Sequence, residues 1–247
     1  MAGFDLVGDL GPGCEPLAEG LLREPISAIS SLAFVVAGLV IIAGFRRGWP
    51  RLRSAAPLAT AQRDARIVFG LLVIGIGLGS VVQHGPNPWW ADLAHDLPLL
   101  GALVLVGADA VADLSGRRRA WWWWVGPTLA LVPLIHLAPR AGELAQVAVA
   151  GVTIGLSAVR VARRPALRRV TGWALGILAV AGVIGRLSDT GGPLCFPGSW
   201  WHGHSFWHVG ASVALVVLAP VVGARPSVRP QTPVPADPRH TGADSAP

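Results

Sequence analysis

The sequence predicts an all-α polytopic membrane protein: a seven-transmembrane-helix bundle with its N-terminus outside and its C-terminus in the cytoplasm. Three observations predict it. The first is composition. Of 247 residues, 52% are hydrophobic and only 14% charged, and mean hydropathy is +0.54. A soluble domain carries about 25% charged residues, so this chain lacks the polar side chains to cover a water-facing surface. The second is length: apolar runs close to the ~20 residues that cross a bilayer as helix recur seven times. The third is the placement of the basic residues, all of them Arg with no Lys. Disordered, fibrous and disulfide-scaffold classes are excluded. The net charge of +6 is too thinly spread on so apolar a chain to indicate nucleic-acid binding.

In order, the runs fall at about 26–45, 65–84, 93–114, 121–138, 143–161, 170–188 and 203–222. The fourth is the shortest and opens with Trp121–Trp124 beside an Arg cluster, the pattern of an interfacial aromatic anchor. Residues 1–223 therefore read as one membrane-embedded domain. Residues 224–247, rich in Pro and small polar residues, read as a disordered cytoplasmic tail. No Arg precedes Arg23, so no cleavable signal peptide is expected. Abundant Ala, Gly, Val and Arg without Lys point to a GC-rich bacterial genome.

The Arg residues set the orientation. Arg46, Arg47, Arg51, Arg53, Arg63 and Arg66 follow the first run. Arg117–Arg119 follow the third; Arg160, Arg163, Arg164, Arg168 and Arg169 follow the fifth; Arg225, Arg229 and Arg239 follow the seventh. Only Arg23, Arg140 and Arg186 fall on the other side. The positive-inside rule places the larger group in the cytoplasm. Cys14 and Cys195 then share the outer side, where a disulfide is permitted; two free thiols are the other reading.

Six of the seven His residues fall in the outer half of the bundle: His84, His95, His136, His202, His204 and His208. Ionisable groups at membrane depth are costly and by default mark a functional site. Ser80 and His84 are four apart at the outer end of the second run, on one helical face. His204 and His208 are four apart at the start of the seventh, a spacing that lets two imidazoles share one metal ion. Asp92, His95 and Asp96 open the third run at the same depth. Three His from two helices, with a carboxylate and a hydroxyl, suit a catalytic zinc with one open position. Singly, each motif has a plainer reading. Ser and His hydrogen-bond between membrane helices, His202 reads as interfacial, and His136 as a packing or helix-bridging residue.

Together these residues resemble the CREST superfamily of seven-span membrane proteins, which groups alkaline ceramidases, progestin and adipoQ receptors and related hydrolases. The pattern is an early E-x-x-N/S, here Glu24-Pro25-Ile26-Ser27; then S-x-x-x-H, here Ser80…His84; an Asp near the start of span three; and H-x-x-x-H in span seven, here His204…His208. The N-outside orientation, Cys14-Glu15 before Glu24, and a Cys ahead of the last His pair are similar to the alkaline ceramidase branch. The resemblance covers about residues 14–222. The position where ceramidases carry the aspartate is His95 here. The Asp96-Leu97-Pro98 context favours Asp96 as the catalytic carboxylate, with Asp92 and His95 the alternative carboxylate or ligand.

The resemblance implies a zinc-dependent lipid amide hydrolase of the plasma membrane with its active site toward the extracytoplasmic side. His84, His204 and His208 hold Zn²⁺, Asp96 handles the proton of the attacking water, and Ser80 hydrogen-bonds the oxyanion or braces a ligand. It also implies a second candidate set, Glu15, Glu24 and Ser27, for Ca²⁺ or a structural role. Pro12 and Gly13 replace the acidic residue and Trp of the ceramidase calcium site, and Glu24 also reads as a helix-terminal carboxylate. The expected partner is a lipid substrate from the bilayer, with no nucleic acid and no obligate protein partner. The competing readings are a non-catalytic receptor and a lipid-binding protein with a structural metal.

Overall fold

The computed structural model describes residues 10–46, 60–199 and 201–225. Arg47, Arg51, Arg53, Arg229, Arg239, His240 and the tail beyond Arg225 lie outside the described residues. Within them the chain is helical: α1 Pro25–Arg46, α2 Thr60–His84, α3 Ala91–Ser115, α4 Trp122–Ala130, α5 Val132–Leu137, α6 Pro139–Arg163, α7 Arg168–Leu187 and α8 Gly203–Leu218. Six of these segments are long and apolar enough to cross a membrane. They correspond to the first, second, third, fifth, sixth and seventh runs of the sequence, with α2 and α6 starting earlier than their apolar runs.

The fourth run differs. It is the α4–α5 pair, broken at Leu131. Pro133 has no N–H to offer the carbonyl of Leu129, and its ring crowds that carbonyl, which favours a break there. The 16 residues Trp122–Leu137 rise about 24 Å, less than the ~30 Å of a hydrocarbon core. The pair nonetheless returns the chain to the end where α3 begins, because the His136 ring lies 5.8 Å from that of Trp89.

The core lies between α1, α2, α3 and α8, where Phe34, Ile41, Phe69, Val73, Ile76, Leu105 and Ala211 are buried together. Around it, Leu32, Val36 and Leu39 of α1, Leu144, Val147 and Val152 of α6, and Val180 and Val183 of α7 face outward. In a lipid surround such burial yields little by itself, since acyl chains are as apolar as the core. Close packing and polar contacts between helices must hold the bundle. Gly79 shows the closeness: a Cβ there would sit 2.1 Å from the Ala94 carbonyl oxygen. That contact locks α2 to α3 at the level of Ser80.

At the end away from the histidines, an ion-pair knot joins three elements. Asp109 accepts from Arg160 Nη1 at 3.1 Å, Arg225 Nη2 at 3.0 Å and the Gly223 N–H at 2.9 Å. Asp113 accepts from Arg160 Nε at 2.8 Å and Arg164 Nη2 at 3.3 Å. Arg160 also donates to the Ala224 carbonyl, 2.6 Å away. Arg119 completes the knot, 3.4 Å from Asp109. Burial pulls its guanidinium below the ordinary arginine range, opposed by the Asp109 charge. Asp109, Asp113 and Arg160 are all buried, so α3, α6 and the chain after α8 are fastened through satisfied charges rather than bare ones.

Candidate metal centre

The site assembles where α1, α2 and α8 meet. His84 ends α2, while His204 and His208 occupy one face of α8 in its first two turns. Among the described residues, these three form the one group of His, Cys, Asp or Glu side chains whose ligand atoms converge, all within 4.8 Å of one another. The Nε2 atoms of His84 and His204 are 3.3 Å apart. Two nitrogens each about 2.05 Å from a tetrahedral ion lie about 3.3 Å from each other, so this separation fits Zn²⁺. His84 and His208 are buried and His204 is half-buried.

The opposite ring nitrogens have partners of their own. His84 Nδ1 bonds a Glu24 carboxylate oxygen. A carboxylate only accepts, so Nδ1 carries the proton and Nε2 is left as the ligating atom. His208 Nδ1 faces the Ser30 hydroxyl at 2.9 Å and that of Ser31 at 3.4 Å. Ser80 is fully buried, and its Oγ pairs with Ser31 Oγ at 2.8 Å. It therefore meets the cluster through Ser31, on the Nδ1 side of His208.

The two carboxylates of α3 are held differently. Asp96 pairs with His95 Nδ1 at 2.8 Å and is half-buried. Asp92 is exposed and accepts from Gln83 Nε2 at 2.9 Å. Neither Asp belongs to the converging group.

Glu15 and Glu24 have different partners. Glu15 caps α1 from the preceding segment: its two carboxylate oxygens accept the N–H groups of Ile26 at 2.6 Å and Ser27 at 2.8 Å. These are donors that a helix N-terminus leaves free, and the negative charge suits that end of the dipole. The Ser27 carbonyl accepts from Ser30 and Ser31. One Glu24 oxygen and Ser27 Oγ are buried without a protein partner.

A strap of residues 10–16 closes over the cluster. Cys14 is disulfide-bonded to Cys195, with Cα atoms 5.5 Å apart. The Thr190 N–H donates to the Pro12 carbonyl at 2.9 Å, and the Cys14 N–H donates to Thr190 Oγ1 at 3.2 Å. Cys14 adopts a left-handed φ of 63°, which turns the chain across the site. Gly13 rests on His204: a Cβ there would lie 2.7 Å from that of the histidine. His202 is buried at the start of α8, and His136 packs on Trp89 away from the cluster.

Sequence reasoning missed two features. Ser30 and Ser31 gave no sign, since two hydroxyls in an apolar helix usually bond their own backbone. The knot did give one: Asp109 and Asp113 stand four apart inside an apolar run, on one face. No family model and no curated protein matches the chain.

Proposed function

We propose that the protein is a seven-span, zinc-dependent lipid amide hydrolase of the plasma membrane, with its N-terminus and site outside and its C-terminus in the cytoplasm. One observation carries this reading: the convergence of His84, His204 and His208 with Nε2 atoms of the first two at 3.3 Å. Three neutral imidazoles leave a fourth position for a water or substrate, whereas a structural zinc is closed by four protein ligands. When bound, zinc supplies Lewis-acid chemistry and lowers the pKa of a bound water to about 7.

The remaining roles belong to the chain. Asp96, oriented by His95, takes a proton from the attacking water. It returns that proton to the leaving nitrogen as the acyl carbon–nitrogen bond breaks and the carbon–oxygen bond forms. Glu24 fixes the His84 ring. Ser80, turned toward Ser31, braces the cluster. The strap covers the His204 side of the cluster, and a lipid amide reaches the site from the bilayer. The seventh crossing is assigned to the α4–α5 pair, with Trp121–Trp124 as its interfacial anchor.

The test is metal content together with turnover of an N-acyl amide panel by the purified protein in detergent. Release of fatty acid, abolished by Asp96→Asn with zinc retained, is the expected result. Zinc without turnover of any lipid amide would refute the hydrolase and leave the structural-metal or receptor class.

A further inference from the structure

A hydroxyl carries one proton, and where that proton goes decides what the oxygen does for its other neighbours. Ser30 Oγ lies 3.0 Å from the Ser27 carbonyl oxygen and 2.9 Å from His208 Nδ1. The carbonyl can only accept, so it offers the Ser30 proton a place. With the proton there, the oxygen's lone pair faces the imidazole, His208 Nδ1 is the donor, and His208 Nε2 is bare.

Ser31 repeats the arrangement. Its Oγ is 2.7 Å from the same Ser27 carbonyl, so its proton is spent there too. It presents a lone pair to the Ser80 hydroxyl at 2.8 Å and, at longer range, to His208 Nδ1. Both serines are thus turned into acceptors by one backbone carbonyl. That carbonyl belongs to the turn whose N–H groups Glu15 caps. The reverse tautomer of His208 would put a proton on Nε2, where it would point at the other two rings and exclude a cation.

From this proton accounting we infer that Ser30 is a positioning residue for the metal centre: it holds His208 in the Nδ1–H tautomer and so presents Nε2 as the third ligand. The inference rests on the metal reading above. It makes α1, which supplies no ligand, a working part of the site. Glu24 sets the tautomer of His84 and Ser30 that of His208, both from one helix and the residue preceding it.

The test is a titration of metal-stripped, full-length protein in detergent with Co²⁺, followed by its visible ligand-field bands, for the wild type, Ser30→Ala, Ser30→Thr and Ser212→Ala. Loss of an outer partner of a ligating histidine typically weakens metal affinity tenfold to a hundredfold. Ser30→Ala should weaken Co²⁺ by about that factor and shift its bands. Ser30→Thr, which keeps the hydroxyl, should restore both. Ser212→Ala removes a serine that bonds only the His208 carbonyl at 2.7 Å and should bind as the wild type does. Should Ser30→Ala fail to fold, Ser30→Cys takes its place, with the same weakening expected from its poor sulfur acceptor. Unchanged affinity and bands in the alanine or cysteine variant, beside a wild type that binds Co²⁺, would overturn the role of Ser30 and leave the metal site standing. A wild type that binds no Co²⁺ would overturn both.

Discussion

Glu24 and His84 are in direct hydrogen-bonding contact although 60 residues separate them. The contact is anchored from the backbone as well, since the Glu24 N–H donates to the His84 carbonyl at 2.9 Å. The start of α1 is thereby stitched to the end of α2 at both main chain and side chain. The acidic residue of the E-x-x-S motif thus acts on a histidine of the cluster. Glu24→Gln keeps the shape but replaces the carboxylate with an amide. Zinc affinity, measured by competition with a chelator of known strength, should fall about tenfold to a hundredfold.

His204→Ala removes one of the three proposed ligands, and the two that remain should not hold the ion. Elemental analysis of the purified variant should find zinc near zero, against about one equivalent for the wild type, with fatty-acid release lost in parallel. Stoichiometric zinc in His204→Ala would show that the ligand set is wrong.

Arg160→Met tests the knot. It leaves Asp109 and Asp113 buried with fewer partners and takes from the Ala224 carbonyl one of its two donors, Arg225 Nη1 at 3.1 Å being the other. Breaking a buried pair on one side costs about 3–5 kcal/mol. Thermal unfolding in detergent should shift down accordingly while the folded fraction still binds metal, because the knot and the histidines sit at opposite ends of the bundle.

Cys14→Ser opens the strap. A native disulfide contributes about 2–4 kcal/mol, and here it spans 181 residues of chain. A lower melting temperature is expected, together with faster loss of zinc to a chelator as Gly13 lifts from His204. The same change should follow reduction of the wild type and be absent when reductant is added to the variant.

Orientation is tested by reporters fused after Pro247 and within the 191–194 loop. A fluorescent protein should light up only at the C-terminus, and an alkaline phosphatase should be active only in the loop. Equal phosphatase activity at both places would reject the arrangement read from the Arg distribution.

Much of this was legible in the sequence, for identifiable reasons. Apolar length marks a crossing helix directly, so the ends of α1, α3 and α7 fall within about three residues of the apolar runs. The His pair of α8 and His84 could be set on helical faces because i,i+4 spacing fixes direction. What was not legible depended on contacts between helices. Nothing local to Pro25–Ser31 shows that Glu15 caps the helix from eleven residues away. Nor does it show that Ser30 and Ser31 meet α8 and α2. The α4–α5 break was hidden because Val132–Leu137 is as apolar as its neighbours, and only the missing N–H of Pro133 interrupts it. Asp109 and Asp113 were readable as costly intramembrane carboxylates, but their partner Arg160 had been counted only as a cytoplasmic charge.

The knot also has a history in time. Asp113 finds its partners at the end of α6 and just past it: Arg160 lies 47 residues later in the chain and Arg164 51 residues later. At about 5–20 residues per second of synthesis, Arg160 emerges roughly 2–10 s after Asp113. Through that interval the carboxyl lacks the two guanidiniums that meet it in the folded protein, and burying it without them is costly. The third helix is therefore fully seated only when the sixth has been made. A chain stopped before Arg160 carries a helix unsuited to the bilayer it has to enter.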